Sequence, residues 1–381
     1  MKKICYFINS DWYFELHWVE RALAAKTAGY EIHVVSHFVG DDIQQKLTEK
    51  GFICHDSSIS EQSINPINFF SSLIKVWQLL KRINPDVLHC ITIKPCLMGG
   101  FFARFYNKPI ILGFVGLGRV FMEDKLSMNV IRFLTLRSYN HIFKNEKCLL
   151  AFEHEHDRDR LTTLTKAKKS QTVVIDGAGI DPHIYHYSLE VNREKPVVLF
   201  ASRLLWSKGL GDLVEVKKRL ALKGVDFVLN VAGISIVDDS DAIPLSKIEE
   251  WHRQGLINWL GRCSDVYSLI KASNVVALPS TYSEGIPRIL LEASSVGRAC
   301  IAYDVGGCQS LIIDEYTGSL VEKRNINLLA EKLEKLLTSP KKRVEMGVRS
   351  RERIESKFAS SLVIDDTLKL YRRAIATGSY S

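Results

Sequence analysis

Two cations five residues apart follow a short apolar run in the second half of the chain. The run VVLFAS is typical of a buried strand, and Arg203 and Lys208 lie between it and the helix-like stretch GLGDLVEVKKRLALKG. An arginine can bind a phosphate group through two parallel hydrogen bonds, whereas a lysine acts as a point charge. The pair therefore suits a diphosphate, although surface arginines and lysines are common and the pair alone is a weak signal.

A later loop adds two carboxylates. In TYSEGIPRILLEASSVG, Glu284 precedes Gly285 and Pro287, and Glu292 lies in a helix-like run that is otherwise apolar. Proline suits the first turn of a helix, where its missing N–H is not needed. The free N–H groups and the dipole of such a turn favour phosphate, and a glycine permits close approach of a ligand to the backbone.

A carboxylate in a buried helix needs a hydrogen-bonding partner, and two explanations fit Glu292. Two hydroxyl groups of a ribose or sugar could supply it, or a buried arginine or a neighbouring helix end could. For Glu292 alone the structural explanation is favoured. Taken with Arg203 and Lys208, the two loops combine cations, a helix N-terminus and carboxylates. That composition fits a nucleotide diphosphate whose leaving group needs stabilisation as charge develops.

The surrounding pattern predicts the elements that position these loops. Short apolar runs alternate with longer amphipathic stretches, which indicates strand–helix repetition and a parallel sheet. A length of 381 residues fits two domains, and the pattern restarts after the polar, proline-flanked segment DPHIYHYSLEVNREKP. The prediction is an α/β protein with two doubly wound parallel-sheet domains, residues 1–185 and 186–360. A last helix, 361–381, would cross back onto the first domain.

Composition excludes several classes of protein. The net charge of +8 is spread along the chain, which argues against a dedicated nucleic-acid binder. The eight cysteines form no C-x-x-C pair and lie largely in apolar runs, as expected for reduced thiols in a cytosolic protein. The N-terminal apolar run is too short for a signal peptide. No window of about twenty residues is free of charge, so no membrane-spanning helix is predicted.

A local excess of positive charge lies within residues 125–170, and residues 127–150 mix Phe, Leu and Ile with Arg, Lys and Tyr. Such a segment suits anionic lipid or phosphate at a membrane interface. A solvated helix face or an ordinary core-packing helix explains the same composition equally well.

Several motifs together resemble a known family. SRLLWSKG, NWLGRCSDVYSLIKASNVVALPSTYSEGIPRILLEA and AYDVGG resemble the C-terminal half of retaining glycosyltransferases of family four, and Glu284 and Glu292 match that family's E-x7-E motif. The resemblance implies the GT-B fold, with two Rossmann-like domains facing across a cleft. DWYFELHW, HCITIKPCLMGGFFAR, FVGLGRVF, AFEHEHDRD and GAGIDPHIY resemble, more narrowly, the subgroup acting on undecaprenyl-diphosphate-linked sugars in O-antigen, capsule and N-glycan precursor assembly.

The resemblance implies roles for residues of the second domain. Arg203 and Lys208 would bind the donor diphosphate, Glu284 would lie beside the donor sugar, and Glu292 would bind the ribose hydroxyl groups. Catalysis would rest on Arg203, Lys208 and Glu284. The remaining donor-binding residues expected from the motifs are Gly285, Ile286, Pro287 and Arg288 at the helix entrance, with Gly261 and Arg262 near the base.

The acceptor would bind to loops of the first domain. The candidates are Asn9, Ser10, Asp11, His17, Lys94, Gly116, Leu117 and Gly118. His17 could equally be a structural histidine. Lys94 could contact a lipid diphosphate or be an ordinary surface lysine.

The activity implied is transfer with retention, in α linkage, of an N-acetylhexosamine or hexose from a UDP-sugar to an undecaprenyl-diphosphate-linked sugar in O-antigen synthesis. The partners would then be a UDP-sugar, the lipid-linked acceptor and the cytoplasmic face of the bacterial inner membrane, without nucleic acid. No cofactor or metal is expected, because the E-H-E-H-D run at 153–157 fits no standard ligand spacing.

Other functions stay open as alternatives. One is a family-four transferase that uses GDP-mannose or a soluble acceptor. Another, of a different class, is a non-catalytic two-lobed nucleotide-binding protein. A Rossmann dehydrogenase is disfavoured, because no G-x-G-x-x-G opens a helix after a strand.

Overall fold

The computed structural model describes residues 1–57, 66–121, 126–236, 239–282 and 285–378. The chain forms two compact units. The first combines Met1–Ala178 with the chain from Val363 onwards, and the second is Gly179–Leu362. The units therefore divide between residues 178 and 179, a little before the sequence-based boundary at 185. The final helix belongs to the first unit.

The first unit is built on a seven-stranded parallel sheet of order β3-β2-β1-β4-β5-β6-β7. Its strands are β1 Lys3–Ile8, β2 Glu31–Ser36, β3 Ile53–Asp56, β4 Val87–Ile91, β5 Ile110–Phe114, β6 Cys148–Phe152 and β7 Thr172–Val174. The helices that connect them are α1 Asp11–His17, α2 Val19–Thr27, α3 Asp42–Glu49, α4 Pro66–Ile83, α5 Ile93–Phe105, α6 Leu126–Ile142 and α7 Glu155–Leu164.

The second unit is built on a six-stranded parallel sheet of order β10-β9-β8-β11-β12-β13. Its strands are β8 Val197–Ala201, β9 Val228–Ala232, β10 Asn258–Gly261, β11 Val275–Leu278, β12 Ala299–Tyr303 and β13 Gly318–Val321. Its helices are α8 Leu210–Leu222, α9 Leu245–Arg253, α10 Val266–Ala272, α11 Arg288–Val296, α12 Gly307–Leu311, α13 Ile326–Thr338 and α14 Pro340–Arg353, followed by the terminal helix α15 Ser360–Gly378.

The central strands are buried on both faces, which is why they read as continuous apolar runs. In β1, Cys5 and Phe7 pack into one core of the first unit, while Ile4, Tyr6 and Ile8 pack into another on the opposite face. This alternation follows from the two-residue period of a strand.

The terminal helix completes the first unit. Leu370, Tyr371 and Ala374 of α15 are buried in the same core as Ile4 and Tyr6. The Tyr371 hydroxyl donates a hydrogen bond of 2.6 Å to the Tyr6 hydroxyl oxygen. This packing explains why the end of the chain belongs to the first unit.

Both sheets have the strand order of doubly wound folds, so the predicted α/β fold class is confirmed. In each sheet the strand order reverses at one place, between β1 and β4 in the first and between β8 and β11 in the second. The loops beyond the carboxyl ends of such strand pairs are the preferred ligand sites. Among the described residues, no helix is both long enough and apolar enough to cross a membrane.

Candidate functional site at the carboxyl ends of the strands

The two loops singled out in the second half of the chain meet at the switch point of the second sheet. Strands β8 and β11 pair directly, with Val198 opposite Val275. Beyond them, Thr281 donates its backbone N–H to the Ser207 carbonyl oxygen at 2.7 Å, and the Ser280 hydroxyl donates to the same oxygen at 3.3 Å. The loop that contains Arg203 and Lys208 is therefore fastened to the loop that leads into α11.

Two glycines allow these loops to approach each other closely. Gly209 has a φ of +83°, and a Cβ atom there would lie 2.0 Å from the Pro279 carbonyl oxygen. A Cβ atom on Gly307, at the start of α12, would lie 2.4 Å from the Gly285 carbonyl carbon and 2.5 Å from the Ile286 nitrogen. A side chain would collide at both places, so only glycine fits there, and the loop backbones are in direct contact around the entrance to α11.

The two predicted phosphate-binding cations differ in their surroundings. Lys208 ends a short 3₁₀ turn, Trp206–Lys208, and is only 6% exposed. Arg203 is exposed and forms no ion pair with any residue that the structure describes. A buried lysine beside a helix start has a fixed position, whereas an exposed arginine can reach toward a ligand.

The entrance to α11 differs slightly from the prediction. Pro287 is the N-cap, with φ −64° and ψ 123°, so it precedes the helix and does not lie in its first turn. The residue whose φ and ψ start the helix is Arg288. Gly285 and Ile286 are buried just before the cap. Glu284, predicted beside the donor sugar, lies outside the described residues.

Glu292 is buried and has a structural partner. Arg288, one turn earlier on α11, donates from Nε to Glu292 Oε1 at 2.8 Å, and Tyr185 lies close enough to this carboxylate to favour its ionised form. Burial raises the pKa of Glu292, while Arg288 and Tyr185 oppose that rise. The arginine pair expected from the structural explanation is therefore present. Its predicted contact with a ribose stays a prediction.

Gly261 and Arg262 lie farther along the same edge of the sheet. Gly261 ends β10, two strands from β8, and its carbonyl oxygen accepts the Gly233 N–H at 2.8 Å. Gly261 has a φ of +69°, and Arg262 is exposed. The structure thus places them on the carboxyl edge, and their role near a base stays a prediction.

Two of the predicted acceptor residues, Asn9 and Ser10, lie at the switch point of the first sheet. Asn9 follows β1 and Thr92 follows β4, and the Thr92 hydroxyl donates to the Asn9 side-chain oxygen. Thr92 has a φ of 73°, which is uncommon for a residue other than glycine. Ser10, the N-cap of α1, is buried beside Asn9. Sequence reasoning missed Thr92, whose only signal was its place before Lys94.

Asp11 and His17 have partners within the first unit. The Asp11 carboxylate accepts the backbone N–H groups of Trp12 at 2.7 Å and Val39 at 3.0 Å, and Asp11 is 2% exposed. The His17 ring lies 4.3 Å from the Tyr13 ring, one turn earlier on α1. These contacts describe structural roles, and the predicted contacts with an acceptor stay predictions.

Lys94 and the glycine loop lie on neighbouring elements. Lys94 is half-buried in the first turn of α5. The loop of Gly116, Leu117 and Gly118 follows β5, which pairs with β4. Both glycines have positive φ, and a Cβ atom on Gly118 would lie 3.1 Å from Ile93 Cδ1. The loop therefore packs against the start of the helix that carries Lys94.

A group of His154, His156 and Asp157 has potential metal-ligand atoms within 4.8 Å of one another. His154 is the N-cap of α7, and its Nδ1 accepts the Asp157 backbone N–H at 3.3 Å. A neutral imidazole that accepts at Nδ1 carries its proton on Nε2, so Nε2 offers no lone pair to a metal. This geometry suits a helix cap. The expectation of no metal or cofactor stays a prediction.

The fold of both units is the one found in glycosyltransferases of the GT-B class. The crystal structure of a glycosyltransferase from Rickettsia africae superposes on 100% of this chain and 99% of its own, with a TM-score of 0.78 and 20% identity. Residues 184–353 match the family model described as glycosyl transferases group 1, and residues 3–146 match glycosyl transferase 4-like. The chain therefore contains a glycosyl transferase 4-like domain followed by a glycosyl transferases group 1 domain, and its motifs predicted a glycosyltransferase.

Two relatives show sequence similarity over much of the chain. The N,N'-diacetylbacillosaminyl-diphospho-undecaprenol alpha-1,3-N-acetylgalactosaminyltransferase of Campylobacter jejuni is 27% identical over 349 residues, which cover 88% of this chain and 89% of the relative. The UDP-Gal:alpha-D-GlcNAc-diphosphoundecaprenol alpha-1,3-galactosyltransferase of Escherichia coli is 25% identical over 280 residues, 70% of each chain.

Proposed function

We propose that this glycosyltransferase moves a hexose or an N-acetylhexosamine from a UDP-sugar to a sugar carried on undecaprenyl diphosphate, with retention of configuration, in bacterial surface polysaccharide synthesis. The observation that carries the proposal is the extent of similarity to the Campylobacter relative, 88% of this chain, which includes both units. Both relatives act on a sugar linked to undecaprenol through a diphosphate. Similarity limited to the second unit would support a donor class alone.

Retention follows from the anomeric chemistry of the proposed reaction. A UDP-hexose carries its diphosphate on the α face of C1, and both relatives form α-1,3 linkages. An α product from an α donor keeps the configuration at C1. In a front-face reaction the bond from C1 to the diphosphate breaks and the bond from C1 to the acceptor oxygen forms on the same side. The acceptor proton passes to a diphosphate oxygen.

The second unit would supply the stabilisation that this reaction needs. Negative charge develops on the departing diphosphate, and fixed cations and N–H dipoles lower the barrier most when they are already in place. Lys208 is a buried cation of this kind. The loop that leads to the N-terminus of α11 is hydrogen-bonded to the loop that carries Lys208. Arg203 would be the second cation that binds the diphosphate, and Glu292 would accept hydrogen bonds from the ribose hydroxyl groups.

A donor and acceptor matrix tests the proposal. Purified protein is incubated with UDP-GalNAc, UDP-GlcNAc, UDP-galactose, UDP-glucose or GDP-mannose. The acceptors are short-chain polyprenyl diphosphates that carry GlcNAc or N,N'-diacetylbacillosamine, together with the free sugars, and products are separated by mass spectrometry. We expect transfer from one UDP-sugar to a lipid-linked acceptor, with an α linkage by NMR.

The other outcomes of that assay separate the alternatives. Transfer from GDP-mannose alone would show that the donor is not a UDP-sugar. Equal transfer to free sugars would show that the acceptor does not need the lipid diphosphate. Binding of UDP without transfer to any acceptor would favour a non-catalytic nucleotide-binding protein. A β-linked product would exclude retention.

We also propose that the first unit lies on the cytoplasmic face of the inner membrane through helix α6. Val130, Phe133 and Leu134 on this helix are 55%, 64% and 55% exposed, and Arg137 is exposed about one turn further on. Exposed apolar side chains beside cations suit an interface with anionic lipid. A membrane-bound acceptor would make such contact useful, because it places enzyme and substrate on the same surface.

Vesicle flotation tests this contact. Wild-type protein is expected to float with vesicles that contain anionic phospholipid and to bind less to zwitterionic ones. Phe133→Ser with Leu134→Ser should reduce flotation about tenfold or more, since each lost side chain removes roughly 1.5–3 kcal/mol of apolar transfer. Leu222→Ser in the second unit, where Leu222 is 91% exposed, is the matched control. Equal flotation of all variants would exclude α6 as the contact.

A further inference from the structure

A cavity of about 20 Å³ lies inside the first unit, bounded by α2, α15 and strands β4 to β6. Its lining includes Trp18, the N-cap of α2, Arg21 from α2, His89 from β4, and Gly113 near the end of β5. None of these residues is among the predicted acceptor or donor residues. The cavity is therefore separate from the site described above.

Three polar atoms of the lining have no hydrogen-bond partner in the part of the protein that the structure describes. They are Trp18 Nε1, Arg21 Nε and His89 Nε2, and the three residues are 4%, 4% and 1% exposed. Leaving one buried polar group unpaired costs about 1–3 kcal/mol, so three around one cavity require an explanation.

The hydrogen bonds around His89 set which of these atoms donate. The Tyr371 hydroxyl donates to Tyr6, so at its oxygen it accepts the proton of His89 Nδ1, which is 3.0 Å away. An imidazole protonated at Nδ1 has a lone pair at Nε2. Burial, together with the charge of Arg21, lowers the pKa of His89 to about 3, which keeps the ring neutral at pH 7.

Arg21 offers a second constraint. Its Nη2 donates to the Gly177 carbonyl oxygen, and its guanidinium lies over the Trp18 ring, 4.4 Å from the centroid. Glu153 also lines the cavity, and its negative charge acts on Arg21, although no ion pair joins Arg21 to a carboxylate among the described residues. Its Nε–H is therefore a donor that faces the cavity, as is the indole N–H of Trp18.

We infer that this cavity binds one water molecule, which accepts from Trp18 Nε1–H and Arg21 Nε–H and donates to His89 Nε2. A buried water typically makes about three hydrogen bonds and needs a volume of roughly 10–15 Å³, and this site offers both. Chloride or another anion would only accept, so it would meet the lone pair of Nε2 unfavourably. The ligand class that matches two donors and one acceptor is water.

Trp18, Arg21 and His89 form no hydrogen bonds with one another, so the bound water would be the link between the elements that carry them. It connects α2 to β4, and through His89 and Tyr371 it reaches the terminal helix α15. Gly113 also lines the cavity, and β5 leads directly into the loop of Gly116, Leu117 and Gly118. The water therefore supports the end of the strand from which the predicted acceptor loop departs.

A crystal structure at high resolution, from crystals grown in sodium bromide and measured at the bromine edge, tests the inference. We expect a density peak within hydrogen-bond distance of all three atoms and no anomalous signal from it. An anomalous peak would identify an anion and overturn the assignment to water. A cavity without density would overturn the site itself.

Gly113→Ala gives an independent test. The added methyl group would lie 3.3 Å from His89 Nε2 and 3.3 Å from the Cys90 carbonyl oxygen, so it would displace the water. If water is bound, the melting midpoint should fall by at least about 3 °C, because the polar atoms lose their partner. An unchanged or higher midpoint would show that the methyl group fills a dry void.

Discussion

Replacing Glu292 by alanine separates the two explanations for a carboxylate inside a buried helix. If Glu292 accepts hydrogen bonds from two ribose hydroxyl groups, each bond to the charged group is worth about 1.5–3 kcal/mol. Part of that gain is lost because the carboxylate also holds Arg288 at 2.8 Å. A net loss of about 3 kcal/mol is therefore expected in UDP binding, which corresponds to a Kd raised by roughly 10²-fold.

The assay compares two ligands on two proteins by calorimetry. Wild-type protein should bind UDP about 10²-fold more tightly than 2′,3′-dideoxyuridine diphosphate, which lacks both hydroxyl groups. Glu292→Ala should bind the two ligands with nearly equal, weak affinity. The four binding free energies give a coupling free energy between the Glu292 side chain and the ribose hydroxyl groups. This coupling reports their contact, because effects common to both ligands cancel.

One result would refute the ribose contact. If Glu292→Ala still prefers UDP to its dideoxy analogue as strongly as wild type does, Glu292 serves only as the partner of Arg288 and Tyr185. Arg288→Met then becomes informative, because it removes the same ion pair without touching the carboxylate. In that case Arg288→Met should lose more stability than Glu292→Ala, because it leaves a buried carboxylate without its cation, and the preference for UDP over its dideoxy analogue should stay unchanged in both variants.

Three further changes test other parts of the molecule. Lys208→Ala should lower kcat about 10²-fold in the transfer assay with little change in melting midpoint. Substitution of the exposed Lys218 by alanine is the control and should leave kcat unchanged. Equal kcat values for the two variants would show that Lys208 does not bind the diphosphate. Gly307→Ala should raise KM for the donor about tenfold, since its methyl group would displace the Gly285 backbone, and an unchanged KM would contradict that contact. Burial and the charge of Arg21 lower the pKa of His89 to about 3, below its value of about 6.5 in an unfolded chain, so the unfolded state binds the extra proton. His89 alone should therefore lower the free energy of unfolding by about 1.4 kcal/mol per pH unit from pH 6.5 down to about pH 3, and the slope from urea titrations should be smaller by that amount in His89→Gln.

The strands of the central sheets were predictable because burial on both faces leaves a continuous apolar run. The runs KICYFI, VLHCI and ACIAY became β1, β4 and β12 with every or nearly every residue buried. The loops after β8 and β11 were chosen for their cations and carboxylates, and the strand order shows that they lie where the doubly wound sheet reverses direction.

Contacts between residues distant in sequence could not be predicted in this way. Tyr185 lies in the polar, proline-flanked segment between the two predicted domains, yet it acts electrostatically on Glu292. Thr92 was not singled out, because its positive φ and its bond to Asn9 depend on β1 and β4 being neighbours. Periodicity reports which face of an element is buried, and it contains no information about which side chain lies opposite.

The arrangement around Glu292 shows that its two explanations do not exclude each other. An ionised carboxylate offers about four lone-pair positions, and Arg288 Nε occupies one of them. The remaining positions are enough for the two hydroxyl groups of a ribose. The arginine also favours the ionised form against the effect of burial, and only that form accepts hydrogen bonds at every position. A structural ion pair one turn earlier on α11 is thus the means by which a buried helix could keep a carboxylate ready for a ligand.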